Sequence, residues 1–496
     1  MFAHYDSEIR EQLTTPHASE PLFEVPLGPE EGAGAPRAKV DKAFRAYDPG
    51  QMYLLPPSID DWVPEGHLCR FVSELVDEVL DLEPFLAAYT EQRGYPPYDP
   101  RLMVKLLVYG YITGVRSSRA IERSCSDSVP FRFLAANQTP DFRSIARFRQ
   151  RHLQALRGLF LESLELCQQA GMVRLGRVAL DGSKPRANAS RRKAMSYNRM
   201  LKSETELKNE IEALLAQAEA TDVKEDAAFG DSGRDDELTG ELARRTSRLA
   251  KIKRAKADLE EEARRRARDQ AAEKARSAGK DEEAAARAGA KAEAEARPED
   301  KAQRNFTDPD SRVMKTSDGS FHYCYNAQSV VDDAHQVIVA TRLDNCPSDS
   351  PAFEDMLDEV ISNCGRPPRQ VLADAGYFSG DNLDAATTRS IDPLIATGRL
   401  RHGETPPSAP KGRIRNDATP KERMARKLRT KAGRAAYARR KAIVEPVFGQ
   451  MDVVQGAKHL LLRGQHAAAA EWDLLSACHN LRKLFVVKGT AKVAVT

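Results

Sequence analysis

Apolar residues begin to recur at helical spacing shortly after residue 60. In HLCRFVSELVDEVLDLEPFL, the residues Leu68, Phe71, Val72, Leu75, Val76, Val79 and Leu80 fall on one stripe, which predicts an amphipathic helix. DPRLMVKLLVYGYITG predicts a second, with Asp99 as N-cap and Pro100 at the first helical position. SRAIERSCSD and FRSIARFRQRHLQALRGLFLESLELCQQAG continue the pattern to Gly171, so residues 51–172 read as an all-helical domain. The period then changes. Val178, Ala179 and Leu180 form a short apolar run that stops at a carboxylate, Asp181, as a buried strand with an acid at its tip would. Further on, SFHYCYNAQSVVD and QVIVATRLD read as a hairpin turning at DDAH. A helix follows in PSDSPAFEDMLDEVISNCG, with Ser350 as N-cap, Pro351 next and Gly365 as its stop. RQVLADAGYFSG is a second buried strand, ending on Asp374. DNLDAATTRS predicts a helix, DPLIATG a strand, and RRKAIVEPVFGQMDVVQG a partly helical stretch that carries Glu445.

Residues 198–300 interrupt this α/β order. Ala, Glu, Lys and Arg dominate, and Leu242, Leu249, Ile252 and Leu259 lie in heptad-like register. A break over 221–237 divides the stretch into a charged helical hairpin, a coiled-coil-like insertion in another domain. Its Ala-rich end, 278–300, holds too few large apolar residues to be expected to pack tightly, and a solvent-exposed arm is the simplest reading. Residues 1–50 read as a flexible segment and 486–496 as a tail.

Charge changes the picture. The 496-residue chain is 30% charged with a net charge of only +3. Residues 399–441 alone contain fifteen Lys or Arg against Glu404, Asp417 and Glu422, a local +12 that leaves the rest of the chain at −9. Such a block suits a polyanion, with nucleic acid the default, or else is a solvated linker. Arg116, Arg119, Arg123, Arg143, Arg147 and Arg149 in the helical domain are open to the same two readings. The seven cysteines are scattered without a CxxC, which argues for reduced thiols and against structural zinc. MFAHYDSEIR is too charged for a signal peptide, and the apolar stretch around Leu102 to Val115 is too short to span a bilayer. A soluble chain of the cytoplasm, associated with the nucleoid and not with membranes, is expected.

The candidate chemistry lies in Asp181, Asp374 and Glu445. Open α/β sheets place ligands at the carboxyl ends of their strands. Converging carboxylates repel, so a cation is expected among them. All-oxygen ligation suits Mg²⁺ or Mn²⁺, and two ions ~3.5–4 Å apart suit in-line phosphoryl displacement. Asp181 is expected to bridge the ions, with Asp374 and Glu445 each holding one. Any one of these acids, taken alone, is more often a turn former or helix cap, and it is their combination with the basic segment that points to chemistry. Lys184, Arg186, Arg191, Arg192 and Lys193 follow Asp181 closely and are candidate contacts to DNA phosphates.

These motifs are recognisable. DGSKPRANASRRKAMSY, FTDPDSRVMKTSDG, YNAQSVVD, VLADAGYFSGDNL and VEPVFGQMD, together with MYLLPPSIDDWVPEGHLCRFV, resemble the DDE transposases of insertion sequences, specifically the IS1182 group of the broad IS4/IS5 class. The resemblance covers about residues 50–485. It implies an RNase H-like catalytic domain over 173–197 and 301–485 with a mixed sheet, the 198–300 hairpin inserted after its first strand and the 399–441 basic segment inside it. The 51–172 domain would bind the transposon ends. The implied triad is Asp181, Asp374 and Glu445, with DNA ends and target DNA as partners and a homodimer on DNA. In that class a Tyr, Arg, Glu, Lys pattern surrounds the glutamate. Here Tyr437 and Arg440 keep their spacing and are implied as DNA contacts, but the gap to Glu445 is one residue longer, so Lys441 is an alternative to Arg440. Asp452 stands where the lysine is usual, with Lys458 or Arg463 as substitutes. Asp452 also leaves open a catalytically decayed transposase that only binds DNA. A nuclease without strand transfer is the other alternative.

Overall fold

The first strand, β1 (Val178–Ser183), pairs on both sides and so occupies the centre of a five-stranded sheet in the computed structural model. The model describes residues 58–89, 97–228, 236–398, 408 and 411–489, with backbone alone for 217–228 and 236–241. These all fall within one compact unit, Pro57–Thr496. The expected flexible segment 1–50, residues 399–407 and 409–410 of the basic block, and most of the tail lie outside the described residues.

On one side of β1 lie β2 (Asn326–Asp332) and β3 (Ile338–Asp344), each antiparallel to its neighbour. On the other lie β4 (Gln370–Ala373) and β5 (Asp392–Ile395), both parallel to β1. The spatial order is β3-β2-β1-β4-β5. The apolar runs predicted as buried strands are buried: Val178, Ala179, Leu180, Val371, Leu372 and Ala373 are all inaccessible to solvent. The expected hairpin is present, but SFHYCYNAQSVVD divides at Tyr325. Its first half, Phe321–Cys324, pairs with Arg312–Lys315 in a separate two-stranded sheet, and only Asn326–Asp332 joins the main one.

The region is helical as predicted, with Asp99 capping Pro100–Thr113 through a 2.8 Å bond from the Arg101 amide. The long pattern ending at Gly171 divides at His152 into Phe142–Arg151 and Leu153–Gln169. One helix that the sequence pattern did not single out, Gln465–Lys488, lies between the helical domain and the sheet. It packs on Leu153–Gln169, Pro100–Thr113 and β3. Because it is buried on nearly all sides, its polar residues must find partners inside. Asn480 does so by acting as a strand edge, with its Oδ1 accepting from the Ile338 amide at 2.8 Å and its Nδ2 donating to the Ile338 carbonyl at 2.9 Å.

Glu471 of the same helix is a fully buried carboxylate. Its Oε1 accepts from Arg116 Nη1 at 3.1 Å and from the Tyr111 hydroxyl at 3.3 Å. Its Oε2 accepts from the amides of Leu461 and Leu462 at 2.7 and 2.8 Å. Arg116 also donates to the carbonyls of Gly456 and His459, and Arg149 donates to Tyr111 and to the Arg116 carbonyl. Arg116 and Arg149 are therefore corrected: both are buried, at 7% exposure each, and bind protein groups where phosphate contact or a solvated face was expected.

The insertion is built from three helices, Tyr197–Ala228, Asp236–Ser277 and Glu282–Glu295. Leu249, Ile252 and Leu259 bury against Met200 and Leu207, as the heptad-like spacing requires. The Ala-rich end does pack, contrary to expectation. Ala272, Ala275 and Ala285 are buried, and a Cβ at Gly289 would lie 3.1 Å from Arg268, so small residues permit a close helix approach in place of bulky contacts.

Replacing Glu471 by Leu should destabilise the protein by ~3–5 kcal/mol, the penalty of stranding a buried charge and two buried amides, read as a lowered unfolding temperature by calorimetry. An unchanged melting temperature would contradict this account of the network. A second prediction concerns His479, wholly buried, with Nε2 donating to the Gln336 carbonyl at 3.0 Å and Nδ1 without a partner. Burial pushes its pKa down from 6.5 to about 4. Between those values the unfolded chain takes up a proton that the folded one refuses, so this contribution, ~3 kcal/mol at most, is present above pH 6.5 and lost as pH falls toward 4. Burial raises the carboxyls of Glu359 and Asp473, to about 7 and about 6, and they act in the opposite sense. The readout is therefore the difference between chains: His479→Gln should lose less stability than wild type between pH 7 and pH 5 in urea melts.

Candidate active site

The register of β1 against β4 decides where the two strand-end acids lie. Leu180 pairs with Ala373 in a parallel ladder, so the next residues, Asp181 and Asp374, stand side by side at the carboxyl ends of neighbouring strands. Adjacent strands are ~4.8 Å apart. Asp181 is mostly buried, which pushes its carboxyl upward. Arg440 opposes that shift, and the nearby charge of Asp374 adds to it. Arg440 Nη1 donates to Asp181 Oδ2 at 2.7 Å. Asp181 Oδ1 also accepts from the Gly182 amide at 2.9 Å, and Asp374 Oδ1 from the Gly376 amide at 2.8 Å.

A third carboxylate, Asp349, was missed in the sequence. Its Oδ1 accepts from Asn326 Nδ2 and Gln328 Nε2 at 2.8 and 3.0 Å. Two glycines locate it between the strand tips. A Cβ at Gly182 would come within 3.3 Å of Asp349 Oδ1 and 2.8 Å of Gln328 Nε2, and a Cβ at Gly376 would lie 3.0 Å from Asp374 Oδ1 and 3.2 Å from Asp349 Oδ2. Both positions require the missing side chain. Within PSDSP, Asp349 reads as a residue at a helix start, and nothing in that pattern distinguishes it from an ordinary cap. Tyr377 seals the same corner: it is buried, and its hydroxyl donates to Gln328 Oε1.

The helix Lys431–Val453 supplies the remaining groups. The Tyr437 hydroxyl donates to the Ala373 carbonyl at 3.3 Å, immediately before Asp374. Tyr437 and Arg440 thus bind this helix to the tips of β4 and β1. Pro446 lies inside the helix and cannot donate to the Ala442 carbonyl, four residues earlier. Gln336 Nε2 donates to that carbonyl at 2.9 Å, which accounts for a proline directly after Glu445. Glu445 is exposed and does not line the cleft. It shares a helical face with Asp452, which lies ~10 Å farther along the axis and does line it. Burial raises the Asp452 carboxyl, against the pull of Lys458.

The cleft has a volume of about 840 Å³ and is lined by Asp181, Asp349, Asp374 and Asp452 together with Lys184, Arg186, Lys315 and Lys458. Acids and cations thus share one opening. The chain beyond Asp181 is held there by backbone pairing, with Arg186 bonding Lys458 at 2.8 Å and Leu460 at 2.9 Å. Among the cations expected to meet DNA, Lys184 and Arg186 line this cleft, the latter 3.2 Å from Asp318. Arg191 is turned toward Phe321 and His322, and Lys441 is exposed. Arg192 and Lys193 line a different depression, with Arg463.

The donor chemistry here is all oxygen and suits a hard divalent cation. Arg440 supplies the counter-charge to Asp181, a role that such a cation would share. Among the described residues, no three His, Cys, Asp or Glu side chains are arranged to hold an ion as they stand. Binding would therefore shift side chains, Arg440 included.

Residues 295–481 match the family described as the Transposase DDE domain, and residues 57–151 match the Transposase domain (DUF772). The chain is supported as a DDE-type transposase. The DDE-domain match includes Asp374 and Glu445 but begins beyond Asp181, at the end of the insertion. No curated protein and no solved structure matches the chain. DDE transposase domains are in general dependent on divalent metal. Among the described residues, no helix is long and apolar enough to cross a membrane.

Mn²⁺ should raise the melting temperature of the wild-type chain, with ~2.7 kcal/mol expected at a hundredfold excess over its dissociation constant. Asp181→Asn and Asp374→Asn should each reduce that shift. A wild-type melt that ignores Mn²⁺ would count against a metal site at the strand tips.

Proposed function

We propose that this chain is the transposase of an insertion sequence of the IS1182 group. It cleaves DNA at the element's ends and joins them to target DNA by in-line phosphoryl displacement. The observation that carries the reading is the side-by-side placement of Asp181 and Asp374 on parallel strands, beneath a cleft that also presents Lys184, Arg186 and Lys458. The sheet supports an RNase H-like fold: three antiparallel strands in order, then two strands parallel to the first.

Asp181 and Asp374 would hold Mg²⁺ or Mn²⁺ with Asp349 beside them, and Glu445, which stands outside the cleft, would have to turn in to join them. Bound there, the ions would lower the pKa of water and neutralise charge on the phosphoryl oxygens. Water's oxygen attacks the scissile phosphorus and the 3′-oxygen leaves, freeing a 3′-hydroxyl. That hydroxyl then attacks a target phosphodiester, whose own 3′-oxygen leaves. Neither step needs a covalent link to protein, which accords with Tyr377 being buried and engaged with Gln328. Lys184, Arg186 and Lys458 hold phosphates at the cleft mouth, and Arg440 positions Asp181. The 51–172 region recognises the terminal repeats, and two protomers pair the two ends.

One observation favours a decayed, binding-only protein: Asp452 adds a carboxylate to the cleft where the class has a lysine. A supercoiled plasmid carrying the element's ends separates the readings. With Mn²⁺ or Mg²⁺ the wild type should nick at the ends and yield joined products, and EDTA should abolish both. Asp181→Asn and Asp374→Asn should lower the rate by ~10²-fold or more, as expected for loss of a group that stabilises the transition state. Tight binding without cleavage would establish the decayed form. Nicks without joined products would establish a nuclease.

A further inference from the structure

The inserted helices carry a feature that the cleft does not use. Arg244, Arg248 and Lys251 recur at intervals of four and three residues along Asp236–Ser277, on one exposed face. Across from them the chain beyond Asp181 brings Arg192 and Lys193, the start of the first inserted helix brings Arg199, and the loop before Gln465–Lys488 brings Arg463. Arg192, Lys193, Arg199, Arg248, Lys251 and Arg463 line a single groove of about 570 Å³, and no acid lines it.

Several cations elsewhere on the arm and at its base are matched. Lys256 meets Glu204 at 2.6 Å, Arg245 meets Glu210 at 3.1 Å, and Arg304 and Arg312 meet Glu262 at 3.1 and 2.9 Å. Among the described residues none of the six groove cations has an ion pair. Six like charges converging without a counter-ion repel one another, and in a chain with 73 acidic residues this is a placement that an anion must offset.

The groove is joined to the cleft. Residues 184–193 and 456–463 run side by side, linked by Arg186 to Lys458 and Leu460, by Asn188 Nδ2 donating to the Leu461 carbonyl at 2.7 Å, and by Arg463 Nε donating to the Asn188 carbonyl at 3.1 Å. One end of this paired ribbon carries Lys184, Arg186 and Lys458 beside the acids, and the other carries Arg192, Lys193 and Arg463. The only aromatic side chain in the groove lining is Phe306, which is partly buried, so no stacking platform for single-stranded bases is presented.

We propose that the insertion is a DNA-binding arm, and that the groove between Arg248/Lys251 and Arg192/Lys193/Arg463 grips the phosphate backbone of duplex DNA that continues out of the cleft. This rests on the proposed function, since the cleft is what brings DNA there. The contact is to phosphates, so it is independent of sequence and sensitive to salt.

The test is fluorescence anisotropy with a labelled duplex of about 40 base pairs, in EDTA so that cleavage plays no part, over a series of salt concentrations. R248E/K251E should weaken binding about tenfold or more and flatten the log–log salt dependence by about 2, the slope of two lost phosphate contacts. R248K/K251R should bind as wild type. K202E/K253E makes the same charge change on exposed residues of the first two inserted helices outside the groove, and should have a markedly smaller effect. Melting curves for all variants exclude unfolding as the cause. If the wild type binds the duplex and R248E/K251E binds it equally with the same slope, the groove proposal falls while the cleft stands. It falls also if K202E/K253E has as large an effect, or if the lost binding proves to be for single-stranded DNA or RNA of the same sequence. If the wild type does not bind duplex DNA at all, the reading of the cleft falls as well.

Discussion

A single buried carboxylate, Glu471, joins the two halves of the structure. Its oxygens accept from Arg116 and Tyr111 on the helical side and from the Leu461 and Leu462 amides on the catalytic side. A buried charge persists only when its hydrogen-bonding capacity is met, and four donors meet it here. The arginine it holds clasps the carbonyls of Gly456 and His459. The loop that presents Lys458 to the cleft is thus fixed by residues more than 300 positions earlier in the chain. The helical region braces a loop of the cleft wall from behind, as well as being a candidate reader of DNA.

At the cleft itself a different constraint governs. Parallel pairing of β1 with β4 forces two carboxylates together at the strand tips, and their repulsion has to be offset. Arg440 provides part of that offset, and its helix is anchored at the same place by Tyr437. The tyrosine and arginine that sequence alone suggested as DNA contacts are turned inward here, onto Asp181 and the strand before Asp374. Outward-facing cations are left to Lys184, Arg186 and Lys458.

The elements with a clear period or a clear cap were legible in the sequence. These include the buried strands ending at Asp181 and Asp374, the Asp99 cap and the leucine stripe of the insertion. Readings that depended on tertiary partners were not. Arg116 and Arg149 look like any surface arginines until Glu471 and Tyr111 are folded against them. Asp349 looks like a cap, and only Gln328 and two glycines far away in sequence bring it to the strand tips. The Gln465–Lys488 helix escaped notice because a helix buried all round has no amphipathic stripe to detect. The Ala-rich end of the insertion was misjudged for a related reason. Small side chains read as weak packing, although they let helices approach closely.

The way the insertion is rooted bears on how the chain folds. β1 must pair with β2 across the entire inserted arm, a long loop to close. The arm's two ends are already fastened to each other, because Ala194–Ser196 pairs with Gln303–Asn305. Once the arm has folded locally, the chain that β1 and β2 must close is short. Even unfolded, doubling the arm would add only ~0.6 kcal/mol to the entropy of closure. Its length is therefore nearly free to drift without disturbing the register that sets Asp181 beside Asp374.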